Sequence, residues 1–155
     1  MLVVIVTCAA LVAFTVAIHY EMLRFVNAAL PSLSIPGRSK VLVVIFAAFV
    51  AHALEIAVYG TAVWVLVSDL GLGSLTGAAG FLFQNCLYFS AETYTSLGFG
   101  DLAPVGPVRL LAGVEALNGL LLIAWSASYT YLAMERFWGT EGVYCQDAKR
   151  KGVRR

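Results

Sequence analysis

The short polar stretch Thr95–Asp101 combines residue types that can ligate a bare cation. It has the sequence Thr-Ser-Leu-Gly-Phe-Gly-Asp and lies between two apolar segments. Gly98 and Gly100 allow left-handed backbone conformations, so successive carbonyl groups can point the same way instead of alternating as they do in a strand. Aligned carbonyl oxygens, with the Ser96 hydroxyl below them, offer hard oxygen ligands to a dehydrated monovalent cation.

Polar side chains also interrupt two long apolar segments. His52 and Glu55 are three residues apart, as are Glu115 and Asn118, so each pair shares one face of a helix. If these segments cross a membrane, all four residues lie within roughly 10 Å of its centre at about 1.5 Å per residue. Burying a charged group at that depth costs free energy unless the group is paired or hydrated. We therefore expect a buried polar network in which His52 and Glu55 hydrogen-bond with Glu115; a metal site and proton-sensitive gating are the alternatives.

The composition indicates that lipid surrounds these residues. Of the 155 residues, 61% are hydrophobic and 12% are charged, whereas about a quarter of a soluble domain is charged. A net charge of +1 without a basic face argues against nucleic-acid binding. The three cysteines, at 8, 86 and 145, form no CxxC pair, which argues against a zinc or disulfide framework.

Three apolar segments are long enough to cross a bilayer. Met1–Tyr20 has no charged residue and spans about 30 Å as a helix; a signal peptide is the alternative, but no basic region precedes it. Val41–Ser68 is the second span. The third begins at Val108 and ends near Phe137. Two prolines and a glycine between the first two spans predict a turn.

The region between the second and third spans is expected to re-enter the membrane. Residues 69–80 contain four glycines and are interpreted as a flexible linker. Leu82–Thr95 is too short to cross a bilayer and too apolar for a surface loop, which fits a re-entrant helix. The polar stretch that follows must then line water or be buried in protein.

The positions of the cations predict the orientation. Nine of the ten Lys and Arg residues lie between the first two spans or after the third. Three spans place these two regions on the same side, and cytoplasmic flanks collect cations. We expect the amino terminus outside and the carboxyl terminus in the cytoplasm.

The segment Tyr94–Pro104, Tyr-Thr-Ser-Leu-Gly-Phe-Gly-Asp-Leu-Ala-Pro, resembles the selectivity filter of the potassium channel pore-loop family. The order of outer helix, pore helix, filter and inner helix is similar too, over about residues 41–138. The resemblance implies an all-α membrane protein with three transmembrane helices, a re-entrant pore helix and a filter loop, assembled as a homotetramer. It also implies a passive potassium-selective channel. Potassium ions would bind the carbonyls of Ser96, Leu97, Gly98 and Phe99 and the Ser96 hydroxyl, with Gly100 at the mouth.

This filter departs from the commonest pattern, TVGYG, at three positions. Ser96 replaces Thr, Leu97 replaces Val, and Phe99 replaces Tyr. Phenylalanine loses a hydroxyl that could tether the filter to the pore helix. A weakly selective cation channel and a non-conducting membrane scaffold are therefore the alternatives.

Two further features are interpreted as a brace for the filter and as a hinge in the last span. Glu92 lies nine residues before Asp101, a spacing shared with bacterial potassium channels that pair two carboxyl groups behind the filter; bracing of this kind could make inactivation respond to pH. The alternative is that Glu92 faces water. Gly119, near the middle of the last span, is a candidate hinge, or else a site of close helix packing.

The predicted organisation has four parts: an additional transmembrane helix over 1–28, a cytoplasmic linker over 29–40, the pore domain over 41–138 and a short basic tail over 139–155. No nucleophile or metal constellation indicates an enzyme. The expected partners are other copies of the chain and membrane lipids, with anionic lipid at the basic tail as a lesser alternative. Apart from permeant potassium, no cofactor is expected. The expected location is the plasma membrane.

Overall fold

The architecture is that of a small helical bundle with one short internal helix. A computed structural model describes residues 1–77 and 82–152, with side chains as far as Trp138. The elements in chain order are α1 (Leu2–Ala29), a 3-10 turn (Leu30–Ser32), α2 (Gly37–Ser68), β1 (Ser74–Thr76), α3 (Phe83–Tyr94), β2 (Ala103–Val105) and α4 (Val108–Gly152).

The predicted spans are confirmed by three helices long and apolar enough to cross a membrane, Leu2–Ser32, Gly37–Ser68 and Val108–Trp138. Only 22%, 28% and 33% of their most apolar windows are buried within the chain. A helix that is apolar on nearly all sides needs lipid or other protein around it. The protein is therefore a multi-pass membrane protein.

The break between the first two spans is shorter than the linker predicted for 29–40. Pro31 lies in the 3-10 turn and Pro36 caps α2 at its amino end, because proline is tolerated at the first turn of a helix but not inside it. The Lys40 ammonium lies 5.5 Å from the centre of the Phe137 ring. The turn and the end of the third span therefore share one end of the bundle, which we call the inner end.

The short helix α3 confirms the re-entrant helix predicted for Leu82–Thr95. Its 12 residues extend about 18 Å, too little to cross a bilayer. It packs against α2 and α4, while α1 packs against α2 and α4 from the side. Buried apolar side chains join α3 to its neighbours, among them Tyr59, Val63, Phe89 and Leu111.

A two-stranded sheet closes the opposite, outer end of the bundle. β1 pairs antiparallel with β2, with Leu75 opposite Pro104. The prediction of a flexible linker over 69–80 is therefore wrong for Ser74–Thr76, because β2 supplies the backbone partners that the linker sequence does not reveal. Gly77 is required here, since an added Cβ would lie 1.9 Å from the Asp101 carbonyl oxygen. Gly80 lies outside the described residues.

The last helix continues past the end predicted for the third span. α4 runs without a break from Val108 to Gly152, so residues 139–152 of the predicted tail extend the helix. The basic stretch from Lys149 to Arg155 lies outside the residues whose side chains are described.

Candidate functional site

In the segment directly after α3, every second residue has a left-handed backbone conformation. Ser96, Gly98 and Gly100 have φ values of 57°, 58° and 81°. We call residues 96–100 the filter segment. In a strand, successive carbonyl groups point in opposite directions. Left-handed conformations at every second position remove this alternation, so that the peptide oxygens can line one side of the segment. Among the described residues, Ser96 is the only non-glycine with a positive φ, and such conformations concentrate at functional sites.

The end of α3 anchors the filter segment through its backbone. The Ser96 N–H donates to the Thr93 carbonyl (2.9 Å), and the Leu97 N–H donates to the Glu92 carbonyl (2.8 Å). Among the described residues, no backbone hydrogen bond is accepted by a carbonyl of the filter segment. Its first N–H groups therefore face the helix, while its carbonyl oxygens stay available for another ligand.

The filter segment is exposed on the surface of the single chain. The Leu97 and Phe99 side chains are 60% and 67% exposed. Added Cβ atoms at Gly98 and Gly100 would have no neighbour within 4 Å. One chain thus supplies one row of carbonyl groups and does not enclose an ion.

A buried carboxyl group lies behind the filter segment. Glu92 is 4% exposed, and its Oε2 has no hydrogen-bond partner among the described residues. Burial raises the pKa of Glu92, and the nearby negative charge of Asp101 raises it further, while the Phe99 backbone N–H opposes both. Tyr88, one helical turn before Glu92, donates a hydrogen bond from its hydroxyl to Asp101 Oδ1 (3.3 Å). Glu92, Asp101 and Tyr88 therefore form one group beside the filter segment.

A second polar group lies deeper in the bundle, around the fully buried Glu55. His19 Nδ1 of α1 lies 2.9 Å from Glu55 Oε1, and His52 Nδ1 lies 3.1 Å from Oε2. Tyr94, the last residue of α3, donates its hydroxyl hydrogen to Glu55 Oε2. Ser126 Oγ of α4 lies 3.1 Å from the Nε2 atom of each histidine. This group, which we call the His-Glu cluster, joins all four helices.

Glu115 has different partners. Its carboxyl group is fully buried and bonds with the Ser90 hydroxyl, which also donates to the Ile56 carbonyl (2.9 Å). A serine hydroxyl has one hydrogen to donate, and an ionised Glu115 would compete for it. A protonated Glu115 donates its own hydrogen to Ser90 and satisfies both bonds. The geometry thus favours an uncharged carboxyl group at this depth.

Asn118 of α4 links α1 to α2. Its side-chain amide donates to the Thr15 hydroxyl of α1 (2.8 Å) and to the Tyr59 hydroxyl of α2 (3.1 Å). All three side chains are buried. The position of α1 is therefore fixed by polar contacts at two depths, Thr15 and His19.

A family model described as "Ion channel" matches residues 39–136, which is more than half of the chain. The chain belongs to this ion channel family. The match covers α2, α3, the filter segment and most of the third span, and it leaves α1 outside. It confirms the resemblance to potassium channel pore loops that the filter sequence suggested.

One curated relative of the channel is the inward rectifier potassium channel Kirbac3.1 of Paramagnetospirillum magnetotacticum. It is 38% identical over 55 residues, which are 35% of this chain and 19% of that protein. The chain thus matches less than a quarter of the relative's length. No solved structure matches the channel significantly.

The proposed contact of His52 and Glu55 with Glu115 is wrong. Glu55 instead bonds with His19, His52 and Tyr94, and Glu115 bonds with Ser90. Glu115 leaves the network because its side chain faces the middle of α3, whereas Glu55 faces the carboxyl end of that helix. The metal alternative for His52, Glu55 and Glu115 is not assembled either.

His19 was not among the residues predicted for the polar network, although a signal for it was present. Thr15 and His19 are four residues apart and therefore share one face of the first span. Both are fully buried. The absence of any charged residue in Met1–Tyr20 made this polar face inconspicuous. Tyr88 and Ser90 were missed because hydroxyl groups on a short apolar helix give no distinctive pattern.

Gly119 makes a close helix contact in this channel. An added Cβ would lie 2.1 Å from the Tyr94 carbonyl oxygen. Of the two roles considered for this glycine, the contact directly supports packing: α4 approaches the carboxyl end of α3 at a point where no side chain fits. The hinge role stays a prediction.

Proposed function

We propose that this ion channel is a passive, potassium-selective pore formed by four copies of the chain. The observation that carries the proposal is the backbone of the filter segment. Positive φ values at residues 96, 98 and 100 allow the carbonyl groups to face one side. The anchoring of the N–H groups of Ser96 and Leu97 on α3 leaves those carbonyls available. Carbonyl oxygens in such a row replace the hydration shell of the permeant ion.

The exposure of the filter segment supports assembly around an axis. Irregular backbone at membrane depth must be buried in protein or line water, and the exposed Leu97 and Phe99 are not covered by their own chain. Neighbouring copies would cover these side chains and complete the ring of oxygens. The number four comes from the resemblance to potassium channels.

Potassium is the proposed permeant ion for two reasons. The filter keeps the hydroxyl ligand at Ser96 and the two glycines that the alternating backbone requires. The relative described above is itself named a potassium channel. The substitution of Phe at position 99 favours weak selectivity as the second candidate, because it removes a hydroxyl that could tether the filter.

The proposed orientation places the filter segment toward the outside of the plasma membrane. Arg24, Lys40 and Arg136 lie toward the inner end of the bundle, with Lys40 against Phe137. Cytoplasmic flanks attract Lys and Arg, so the inner end faces the cytoplasm and the amino-terminal end of α1 lies outside. Membrane lipids would contact the exposed apolar faces, and anionic lipids the basic residues beyond 148.

Ion flux through purified protein in liposomes tests this proposal. We expect potassium flux, and a reversal potential in mixed potassium and sodium that follows the potassium gradient. Gly98→Ala should abolish selective flux, because Gly98 has a φ of 58°, which residues with a side chain rarely adopt. The open space around its Cβ position excludes a steric clash as the cause. A left-handed conformation costs a non-glycine residue roughly 1–2 kcal/mol, and the substitution would act in every copy.

Gly113→Ala is the matched control, since Gly113 lies in α4 and an added Cβ there also meets no atom within 4 Å. It should conduct like the wild type. A reversal potential near zero in equal gradients of opposite direction would favour the weakly selective channel. Absence of flux from correctly assembled protein would instead favour the non-conducting scaffold.

A further inference from the structure

The His-Glu cluster brings together three side chains of metal-ligating type from two helices. His19, His52 and Glu55 each offer one ligand atom within 4.8 Å of the others. The Nδ1 atoms of the histidines lie 2.9 and 3.1 Å from the two carboxylate oxygens. Neighbouring ligands of a tetrahedral zinc ion are about 3.4 Å apart when each bond is about 2.1 Å long, so each histidine would have to move only a few tenths of an ångström from Glu55. We propose that these three residues bind a divalent transition-metal ion of the zinc class.

The hydrogen bonds of Ser126 are compatible with a cation in the cluster. If both Nδ1 atoms donate hydrogens to Glu55, both Nε2 lone pairs face Ser126 Oγ, each at 3.1 Å. One hydroxyl hydrogen cannot serve two acceptors well; without a metal, Ser126 is satisfied only if His52 carries its hydrogen on Nε2 and its Nδ1 accepts from the Tyr94 hydroxyl, 2.9 Å away, which takes that hydrogen from Glu55. If both Nδ1 atoms bind a metal, each Nε2 carries a hydrogen, and the two lone pairs of Ser126 Oγ accept both. Metal-bound histidines almost always donate their other ring N–H to an oxygen in this way.

The charge of Glu55 supports the same ion. Glu55 is fully buried, and a buried carboxylate requires compensation. Among its described hydrogen-bond partners, none has a fixed positive charge: two are histidines and the third is Tyr94. A divalent ion would compensate the carboxylate and leave the Tyr94 hydroxyl free to orient it, as ligating carboxylates commonly require.

An entry route and an open coordination position are both present. The His52 side chain is 18% exposed and lines a cavity of about 390 Å³ together with Thr95 and Ser126. Its other lining residues include Phe49 and Ile123, so an ion would reach the cluster past a mostly apolar wall. A water molecule from the cavity can complete the coordination, because three protein ligands leave a fourth tetrahedral position open.

Metal binding at this site would act on two parts of the molecule. It would hold α1 against α2, since His19 and Glu55 come from different helices. Through Tyr94, which contacts both His52 and Glu55 and lies two residues before Ser96, it would also stiffen the anchor of the filter segment. The binding itself is independent of the proposed conduction, and only its effect on flux rests on that proposal.

Titration of the 155-residue protein, solubilised in detergent and stripped with a chelator, tests the site. We expect one Zn²⁺ or Co²⁺ per chain by elemental analysis, and a Co²⁺ absorption spectrum typical of nitrogen and oxygen ligands. His19→Gln and His52→Gln should each weaken binding at least 100-fold, and Ser126→Ala by about 10–100-fold. Glu115→Gln is the matched control: it neutralises a buried carboxyl group outside the cluster and should bind like the wild type.

His52→Cys guards against loss of fold as the cause. Cysteine is also a zinc ligand, so this variant should keep one ion per chain, and its Co²⁺ complex should gain a thiolate-to-metal charge-transfer band. Saturable binding that survives in both Gln variants, or a Cys variant without that band, would overturn the site. A cluster that takes up protons but no metal would overturn it equally. Zinc that binds without changing potassium flux would overturn the coupling to the filter.

Discussion

The contact between Gly119 and Tyr94 gives the sharpest prediction for the pore. A Cβ at position 119 would lie 2.1 Å from the Tyr94 carbonyl oxygen, and ordinary contact begins at 3.4 Å. The two groups would therefore have to separate by about 1.3 Å, the difference between these distances. The obstructing atom belongs to backbone, so no side-chain rotation relieves it.

The expected cost of Gly119→Ala is at the upper end of the roughly 1–3 kcal/mol that overpacking a core costs. The displacement also reaches the filter, because Tyr94 lies two residues before Ser96. We therefore expect a lower thermal midpoint for unfolding or dissociation, together with reduced potassium flux. Differential scanning fluorimetry of the purified protein and liposome flux measure the two effects.

Gly113→Ala again provides the control, because it adds the same methyl group to the same helix in open space. A hinge role alone predicts a different result: Gly119→Ala would keep or raise the thermal midpoint and change only the gating. A Gly119→Ala protein that matches Gly113→Ala in both midpoint and flux would refute the packing argument.

Three further predictions concern buried polar groups. Glu115→Gln should leave assembly and the thermal midpoint near the wild-type values, because the geometry favours an uncharged carboxyl group at this position. Glu115→Lys should prevent assembly, which size-exclusion chromatography measures. Equal behaviour of the two variants would contradict this prediction. Asn118→Leu should lower the thermal midpoint by an amount corresponding to about 1–3 kcal/mol, since it leaves the buried Tyr59 hydroxyl with one partner fewer; an unchanged midpoint would argue against the polar anchoring of α1. Glu92→Gln should change the rate at which potassium current decays during sustained activation, because the charge behind the filter segment is removed; identical decay would show that Glu92 does not brace the filter.

Much of the architecture could be predicted from the sequence because it depends on local properties. The lengths of the apolar segments set three spanning helices and one short helix, and α3 at Phe83–Tyr94 falls within the range predicted for it. The filter segment was predictable because two glycines, two residues apart, define a backbone that few other sequences adopt. The second span was predicted to start at Val41, and α2 starts four residues earlier, at Gly37.

The partners of the buried polar residues could not be derived in the same way. His19 and Glu55 are 36 residues apart, and Ser90 and Glu115 are 25 apart. The spans are apolar on nearly all sides, so no amphipathic stripe indicates which face of one helix meets which face of another. The sequence placed Glu55 and Glu115 at similar depths but did not define their rotation about the bundle axis.

The sequence by itself thus determined which segments enter the membrane and which stretch can ligate a cation, since hydropathy and glycine conformation act within a few residues. Only the tertiary structure decided that Glu55 meets His19, that Glu115 meets Ser90, and that Gly119 meets the backbone of Tyr94. The physical reason is that helix rotation and close packing are set by shape and hydrogen bonding between distant residues, which a pattern along one chain does not contain.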